Sequence, residues 1–439
     1  MATGAQGFGA GFGARFGALG PRDLIIWALF VAVMLVAPLI FNSSLSVTML
    51  SQIGIAIVAC LSFNMLLGQG GMLSFGHAVY SGLGSYVAIH ALKAVGGGSL
   101  PLPVSLIPLV GGVAGLGFAV VFGFVTTKKS GTTFAMITLG IGELVFAMSL
   151  MVPEFFGGEA GVAANRVAGG PVMGITFGPQ LQVYYLLALY TLLCTAAMYA
   201  FTRTPLGRML NAVRDNPERV EFIGYSTQRV RYISFMIAGF FAGIAGGMYA
   251  LNFEIATAEV VGAARSGAYL LFTFLGGATF FFGPIIGAVL MVVAFVLLSE
   301  FTKAWLLYLG LMFLLMVMFA PGGIASLIMM NLRVAKFGKL GGLWGAYAAL
   351  AVAGLVTFCG VAAMIEMVYH LQLNESLGST LHFLGVDLDA RSMASWLGAL
   401  ALAVVGLVLF EFARRRFALQ WGEVQAEIEA TIRAREAAR

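Results

Sequence analysis

The chain has 439 residues, 60% of them hydrophobic and only 10% charged, with a net charge of +5. A water-soluble domain carries about 25% charged residues, so this composition excludes a soluble globular protein and makes lipid the natural solvent. The small net charge is no nucleic-acid signal. Cys60, Cys194 and Cys359 lie in apolar stretches without CxxC spacing, which points to neither a disulfide framework nor a metal site.

Residues 1–23 read as a flexible, Gly-rich cytoplasmic tail containing Arg15, without the pattern of a cleaved signal. A helix needs roughly 20 apolar residues to cross the hydrocarbon core. Twelve candidate segments follow, at 24–41, 47–67, 73–92, 102–125, 133–152, 182–201, 232–253, 268–282, 284–300, 305–320, 345–366 and 395–411. The expected fold is therefore an all-α, polytopic transmembrane helical bundle of about 12 spans. The pair 268–282 and 284–300 is short and split at Gly283-Pro284, so it reads either as two crossings or as a re-entrant segment, and 73–92 carries the same ambiguity.

Positive charge sets the orientation. The loop 202–231 carries Arg203, Arg208, Arg214, Arg219, Arg229 and Arg231, and is expected to be cytoplasmic. Counting spans outward puts Arg15, Arg22, Lys128, Lys129, Arg333, Lys336, Lys339 and Arg414-Arg415-Arg416 on the same side, with both termini cytoplasmic. The opposite loops carry Glu154, Glu159, Glu254, Glu259, Glu375, Asp387 and Asp389. One of them, 153–181, is too polar and Gly-rich (Gly157, Gly158, Gly161, Gly169, Gly170, Pro171) to span. The expected organisation is a core at 24–330, a basic linker with two further spans at 331–411, and a cytoplasmic helix or tail at 412–439. The tail reads either as lying near the lipid headgroups or as solvated.

Four features are candidates for function. In Asn64–Tyr86, Gly68, Gly70 and Gly71 interrupt apolar runs ahead of Ser74, His77 and Tyr80. Broken helices at membrane depth line cavities or pack on protein, and their free ends can hold a polar solute. Close packing of small residues is the plainer reading. Gly276–Ala288 is a second interrupted stretch in the other half of the chain, the arrangement expected at a transporter repeat interface. Glu143 stands mid-way along an apolar segment, where an acid costs about 2.5–3.5 kcal/mol by insertion scales and is expected to face the bundle interior or water. It would contact a proton or solute, or simply bond a neighbouring Ser or Thr. Lastly, the loop 204–232 has the pattern of a short amphipathic helix after Pro205, a turn at Asp215-Asn216-Pro217 and a second helix ending at Gly224. Such a module suits a groove on a partner protein, while its arginines would also attract anionic lipid. The chain contains no P-loop, HExxH or GxSxG, so neither ATP binding by that route nor catalysis is expected, and no cofactor or metal is implied.

These stretches resemble the branched-chain amino acid ABC importer permease family, on the LivM-like side. The match is carried by Asn64–Tyr86, Gly131–Leu139, Thr204–Tyr225, Ala242–Tyr249, Leu275–Ala288 and Phe319–Ile324, in that order. LSFGHA and GRMLNAVRDNPERVEFIGY are its most specific parts. The resemblance covers about 24–330; the family often has GGxGT where this chain has Gly276-Gly277-Ala278-Thr279. It implies a non-catalytic subunit of the bacterial inner membrane. Its partners would be a second, LivH-like permease, two ATP-binding-cassette ATPases and a periplasmic solute-binding protein. It further implies ATPase coupling through Arg208, Arg214, Asp215, Asn216, Glu218, Glu221 and Gly224, and a pathway near Asn64, Ser74, His77 and Tyr80. The competing reading is an ion-gradient-driven secondary transporter with Glu143 as the coupling residue.

Overall fold

A computed structural model describes residues 21–169, 176–373, 379–383 and 385–437. The Gly-rich tail with Arg15, Gly170 and Pro171 of the long outer loop, and Glu375 lie outside the described residues. The chain divides into two compact units, one running to Val293 and taking in Pro321–Ala325, the other made of Ala294–Ala320 and the chain from Ser326 onward.

The first unit opens with α1 (Pro21–Ile40), α2 (Ser44–Leu67), α3 (His77–Gly96), α4 (Ile107–Thr126) and α5 (Gly131–Met151). The one-turn α6 (Pro153–Phe156) and the long α7 (Gln180–Arg203) follow. Two short helices, α8 (Pro205–Asp215) and α9 (Pro217–Phe222), lead into α10 (Thr227–Phe253), α11 (Ala263–Gly276) and α12 (Gly283–Val293). A two-residue ladder pairs β1 (Val162–Ala163) antiparallel to β2 (Ile255–Ala256).

α2, α3 and α10 form the buried centre, with α10 packed on α2, α3 and α4, and α2 packed on α7 and α12. In lipid no hydrophobic effect draws helices together, so close packing of small residues must do so. Here Gly239, Gly243 and Gly247 on α10 face Gly111 and Gly115 on α4. A Cβ on Gly243 would fall 2.3 Å from the Gly111 carbonyl oxygen, and one on Gly115 would fall 2.4 Å from that of Gly239. Glycines four apart on both helices thus let the two backbones touch.

The second unit contains α13 (Ser299–Phe301), α14 (Trp305–Phe319), most of α15 (Gly323–Lys336), α16 (Trp344–Leu373) and α17 (Met393–Ala437). A β3 (Thr380–Phe383) to β4 (Val386–Asp389) hairpin lies between α16 and α17. These two helices also meet through small residues: a Cβ on Gly360 would lie 2.4 Å from the Ala403 nitrogen. At 1.5 Å per residue α17 is about 68 Å long, more than twice the roughly 30 Å hydrocarbon core. The separate helix or tail expected at 412–439 is therefore, over its described part, the unbroken continuation of the last apolar segment. No proline interrupts it, and Glu411 accepts from Arg414 at 2.7 Å and Arg415 at 2.8 Å across the junction.

Length and hydropathy of the described helices support eight or nine of the twelve candidate spans. Among the described residues eight helices are long and apolar enough to cross a membrane, or nine if the α14–α15 pair, bent by 48°, counts as one. The candidates at 24–41, 73–92 and 268–282 are not among them. α1, Pro21–Ile40, is nonetheless a 20-residue apolar helix, about 30 Å long and so long enough to cross. α3 begins at His77 after an extended lead-in and carries polar side chains throughout. α11 has 14 residues, about 21 Å of helix, which is too short to cross. The ambiguity at 268–300 thus resolves into a half-length α11 followed by a spanning helix, Gly283–Phe301.

Candidate functional site

The two glycine-interrupted stretches meet. α2 ends at Leu67, and the chain reverses through Gly71, whose φ of +63° is open to glycine at little cost. α11 ends at Gly276, and the chain turns at Gly277 with φ +114°. The two turns touch: a Cβ on Gly68 would fall 2.2 Å from the Ala278 carbonyl oxygen. α11 and α12 are equally tight, since a Cβ on Gly287 would lie 1.9 Å from the Phe272 carbonyl oxygen. Helix ends such as these leave backbone groups free for a solute or a neighbour.

Around these breaks the structure gathers most of the expected polar residues. Asn64, Ser74, His77 and Tyr80 are all buried. His77 Nε2 lies 2.9 Å from Ser62 Oγ, whose own hydrogen goes to the Ala59 carbonyl at 2.8 Å. His77 must then donate from Nε2, leaving Nδ1 as an acceptor without a protein partner. The ring is walled edge-to-face by Phe63, Tyr80 and Tyr269. Among the described residues Asn64 Oδ1 and Ser74 Oγ also have no hydrogen-bond partner. Buried polar atoms are nearly always satisfied, so this group of open acceptors and donors marks a place for water or a polar ligand. Ser266, on the first turn of α11, accepts from the Ala78 backbone N–H at 3.0 Å and ties the starts of α3 and α11 together.

Glu143 departs from expectation. It is exposed on α5, and among the described residues it takes no hydrogen bond from a Ser or Thr. The helix turns its small and hydroxyl residues inward instead: Thr138 Oγ1 accepts from the Phe75 N–H at 3.1 Å, and Gly142 packs against Gly76. One residue on, about 100° round the axis, Glu143 points away from the bundle.

The loop 204–232 folds as two short helices. Thr204 and Asn216 cap α8 and α9 by accepting from the Gly207 and Arg219 N–H groups, and Pro205 and Pro217 occupy the first turns. Gly207, Leu210 and Val213 of α8 and Val220 of α9 are buried. Arg208, Arg214, Asp215, Asn216, Glu218, Glu221 and Gly224 are all exposed. Phe222, Ile223 and Tyr225 are exposed too, Phe222 by 90%. α8 sits against the reversal after α2: Arg214 donates to the Gly68 carbonyl, and a Cβ on Gly71 would lie 2.9 Å from Arg214 Cγ. One exposed module therefore touches the turn that itself touches Ala278.

Residues 45–321, spanning both interrupted stretches and this module, match the family described as the branched-chain amino acid transport system permease component. The chain belongs to that permease family. It is 27% identical to the high-affinity branched-chain amino acid transport permease LivM of Salmonella typhimurium over 340 residues, 72% of this chain and 78% of the relative. To LivM of Escherichia coli it is 28% identical over 302 residues, 64% and 70% of the two chains. It is also 30% identical, over 130 residues, to the guanosine ABC transporter permease NupQ of Bacillus subtilis, covering 28% and 38%. No solved structure matches. The chain is a multi-pass membrane permease component, and α16 and α17 lie beyond the matched segment.

Arg166 is a structural residue of this permease that the charge pattern hid. Its guanidinium is nine-tenths buried and donates to the Leu251 and Asn252 carbonyls at the end of α10, to Phe177 and Gly178 carbonyls, and to Gln180 Oε1. Its backbone N–H donates to Glu254 at 2.7 Å. A cation at a helix C-terminus satisfies carbonyls that have no partner within the helix. Its only signal in sequence is a positive charge in a loop expected to be neutral or acidic. Arg166→Ala leaves these carbonyls open and is expected to cost about 1–3 kcal/mol, read as a lower melting temperature in detergent with ATPase capture unchanged.

Proposed function

We propose that this chain is one of two membrane-spanning permeases of an ATP-binding-cassette importer in a bacterial inner membrane. Paired with a LivH-like permease, two ATPases and a periplasmic binding protein, it moves branched-chain amino acids or related small polar solutes into the cytoplasm. The α8–α9 module faces the cytoplasm. The observation that carries this reading is the exposed α8–α9 module seated on the Gly68–Gly71 turn. A push on α8 moves the Arg214 contact, and with it the junction of the α2 and α11 ends where Asn64, Ser74, His77 and Tyr80 cluster. The chain supplies the path, and the ATPases supply the work. The relatives named as branched-chain amino acid permeases support the solute class, and the guanosine permease widens it.

Glu143 supports an assembly rather than a gradient-driven carrier. A carboxylate on the outer face of α5 is costly against lipid, so the second permease is the natural cover for that face. Purification of the tagged chain from its native membrane, with mass spectrometry of what accompanies it, tests the assembly. Uptake into proteoliposomes of the purified complex then tests the energy source. ATP-driven uptake is expected to persist with an uncoupler present, and Glu143→Gln is expected to keep it within about twofold, as for a change away from the pathway. A chain that purifies alone and loses gradient-driven uptake with Glu143→Gln would return the secondary-transporter reading.

A further inference from the structure

A second polar feature lies above the His77 cluster. Ser81 and Ser85 of α3, Gly246 and Tyr249 of α10, and Arg265 and Tyr269 of α11 line a small, open-mouthed recess with room for about one water molecule. Arg265 is the only charged group among its lining residues. Its guanidinium lies 5.2 Å from the Tyr249 ring centroid and 5.9 Å from that of Tyr269, and its Nε donates to Tyr269 Oη at 3.4 Å. Among the described residues no carboxylate pairs with it. Ser85, 1% exposed, lines the same recess with its hydroxyl unpartnered.

An arginine held among membrane helices normally has an acidic partner or marks a solute path. Here the walls offer aromatic faces and hydroxyls, and no counter-charge. Arg's planar fork matches the two oxygens of a carboxylate. The position fits a solute arriving from outside. Gly246 sits about 10 Å along the axis from Phe253, the end of α10 away from the α8–α9 module, at 1.5 Å per residue. A Cβ on Gly246 would fall 1.8 Å from the Ser81 carbonyl oxygen, so the recess floor is two helices in backbone contact.

We propose that Arg265, with Ser85 beside it, is a carboxylate-binding subsite on the translocation path that holds the carboxylate of an amino-acid solute. This rests on the importer reading and names the part of the solute the membrane subunit grips. The aromatic faces of Tyr249 and Tyr269 fix the guanidinium plane while its outer nitrogens remain for the ligand.

The test uses the complete transporter in proteoliposomes, with L-leucine and guanosine as labelled solutes and binding-protein-stimulated ATP hydrolysis measured in parallel. Arg265→Gln is expected to lower leucine uptake by about tenfold or more, the loss of a charge-assisted bidentate contact, with ATP hydrolysis kept within about twofold. Arg265→Lys, which keeps the charge and protects the fold, is expected to lose about threefold because a point charge cannot match both oxygens. Leucine uptake equal to the parent's in either variant overturns the proposal and leaves the importer reading standing. Equal losses of uptake and ATP hydrolysis overturn it too, in favour of a structural arginine. A parent complex that moves guanosine and not leucine overturns it together with the amino-acid reading.

Discussion

Gly243→Val is expected to leave little folded permease. A Cβ at this position falls 2.3 Å from the Gly111 carbonyl oxygen and 2.9 Å from the Gly115 Cα. Both neighbours are backbone, so no side chain can swing aside. α3 meets the same contact through Gly84, whose own Cβ would lie 2.8 Å from the Gly243 Cα and 2.9 Å from the Gly111 carbonyl oxygen. A branched side chain would therefore have to part α10 from α4. Overpacking a close-packed site costs about 1–3 kcal/mol and sometimes more. The all-backbone contact puts this case at the upper end. Gly117, also on α4, has open space where its Cβ would be, and Gly117→Val is the matched control. The measurement is melting temperature and monodisperse yield in detergent. If Gly243→Val melts with the parent, backbone contact between these helices is not what holds the centre together.

Phe222→Asp is expected to abolish capture of the ATPases while leaving the permease folded. The side chain is 90% exposed, and Ile223 and Tyr225 beside it are 63% and 53% exposed. Exposed apolar groups on a short, capped helix, ringed by Arg214, Asp215, Glu218 and Glu221, have the make-up of an interface anchor with a polar rim. Burying an aspartate in the partner's groove is expected to weaken association by about 2 kcal/mol or more, enough to lose the partner on a column. Val220→Asp makes the contrast: Val220 is 2% exposed, so its replacement is expected to unfold the module and lower stability. ATPases that co-purify undiminished with Phe222→Asp would move the coupling contact elsewhere on the chain.

The candidate site was legible in part. Gly68-Gln69-Gly70-Gly71 and Gly276-Gly277 mark broken helices because few residues other than glycine take the φ values that Gly71 and Gly277 adopt. Pro205, Asn216 and Pro217 announced two short helices because caps and first-turn prolines are local signals. Arg166 and Arg265 were not singled out. Each is a lone positive charge on the expected outer side, an exception to the orientation rule that in hindsight was informative. The exposed position of Glu143 was not legible, since an apolar segment carries almost no periodicity to say which side turns inward.

The amino-acid sequence by itself determined that this protein lives in lipid, is helical, and breaks its helices at two glycine-rich points. Those properties follow from side-chain transfer free energy and local backbone freedom, which need no knowledge of neighbours. Only the tertiary structure decided that α11 is a half-length helix of 14 residues. It alone brought Gly68 to Ala278, turned Glu143 outward, and left Arg265 facing a recess without a counter-ion. In a bundle where almost every residue is apolar, which helices touch is set by backbone-to-backbone fit between residues far apart in the chain. That fit is a property of three-dimensional packing, and hydropathy does not encode it.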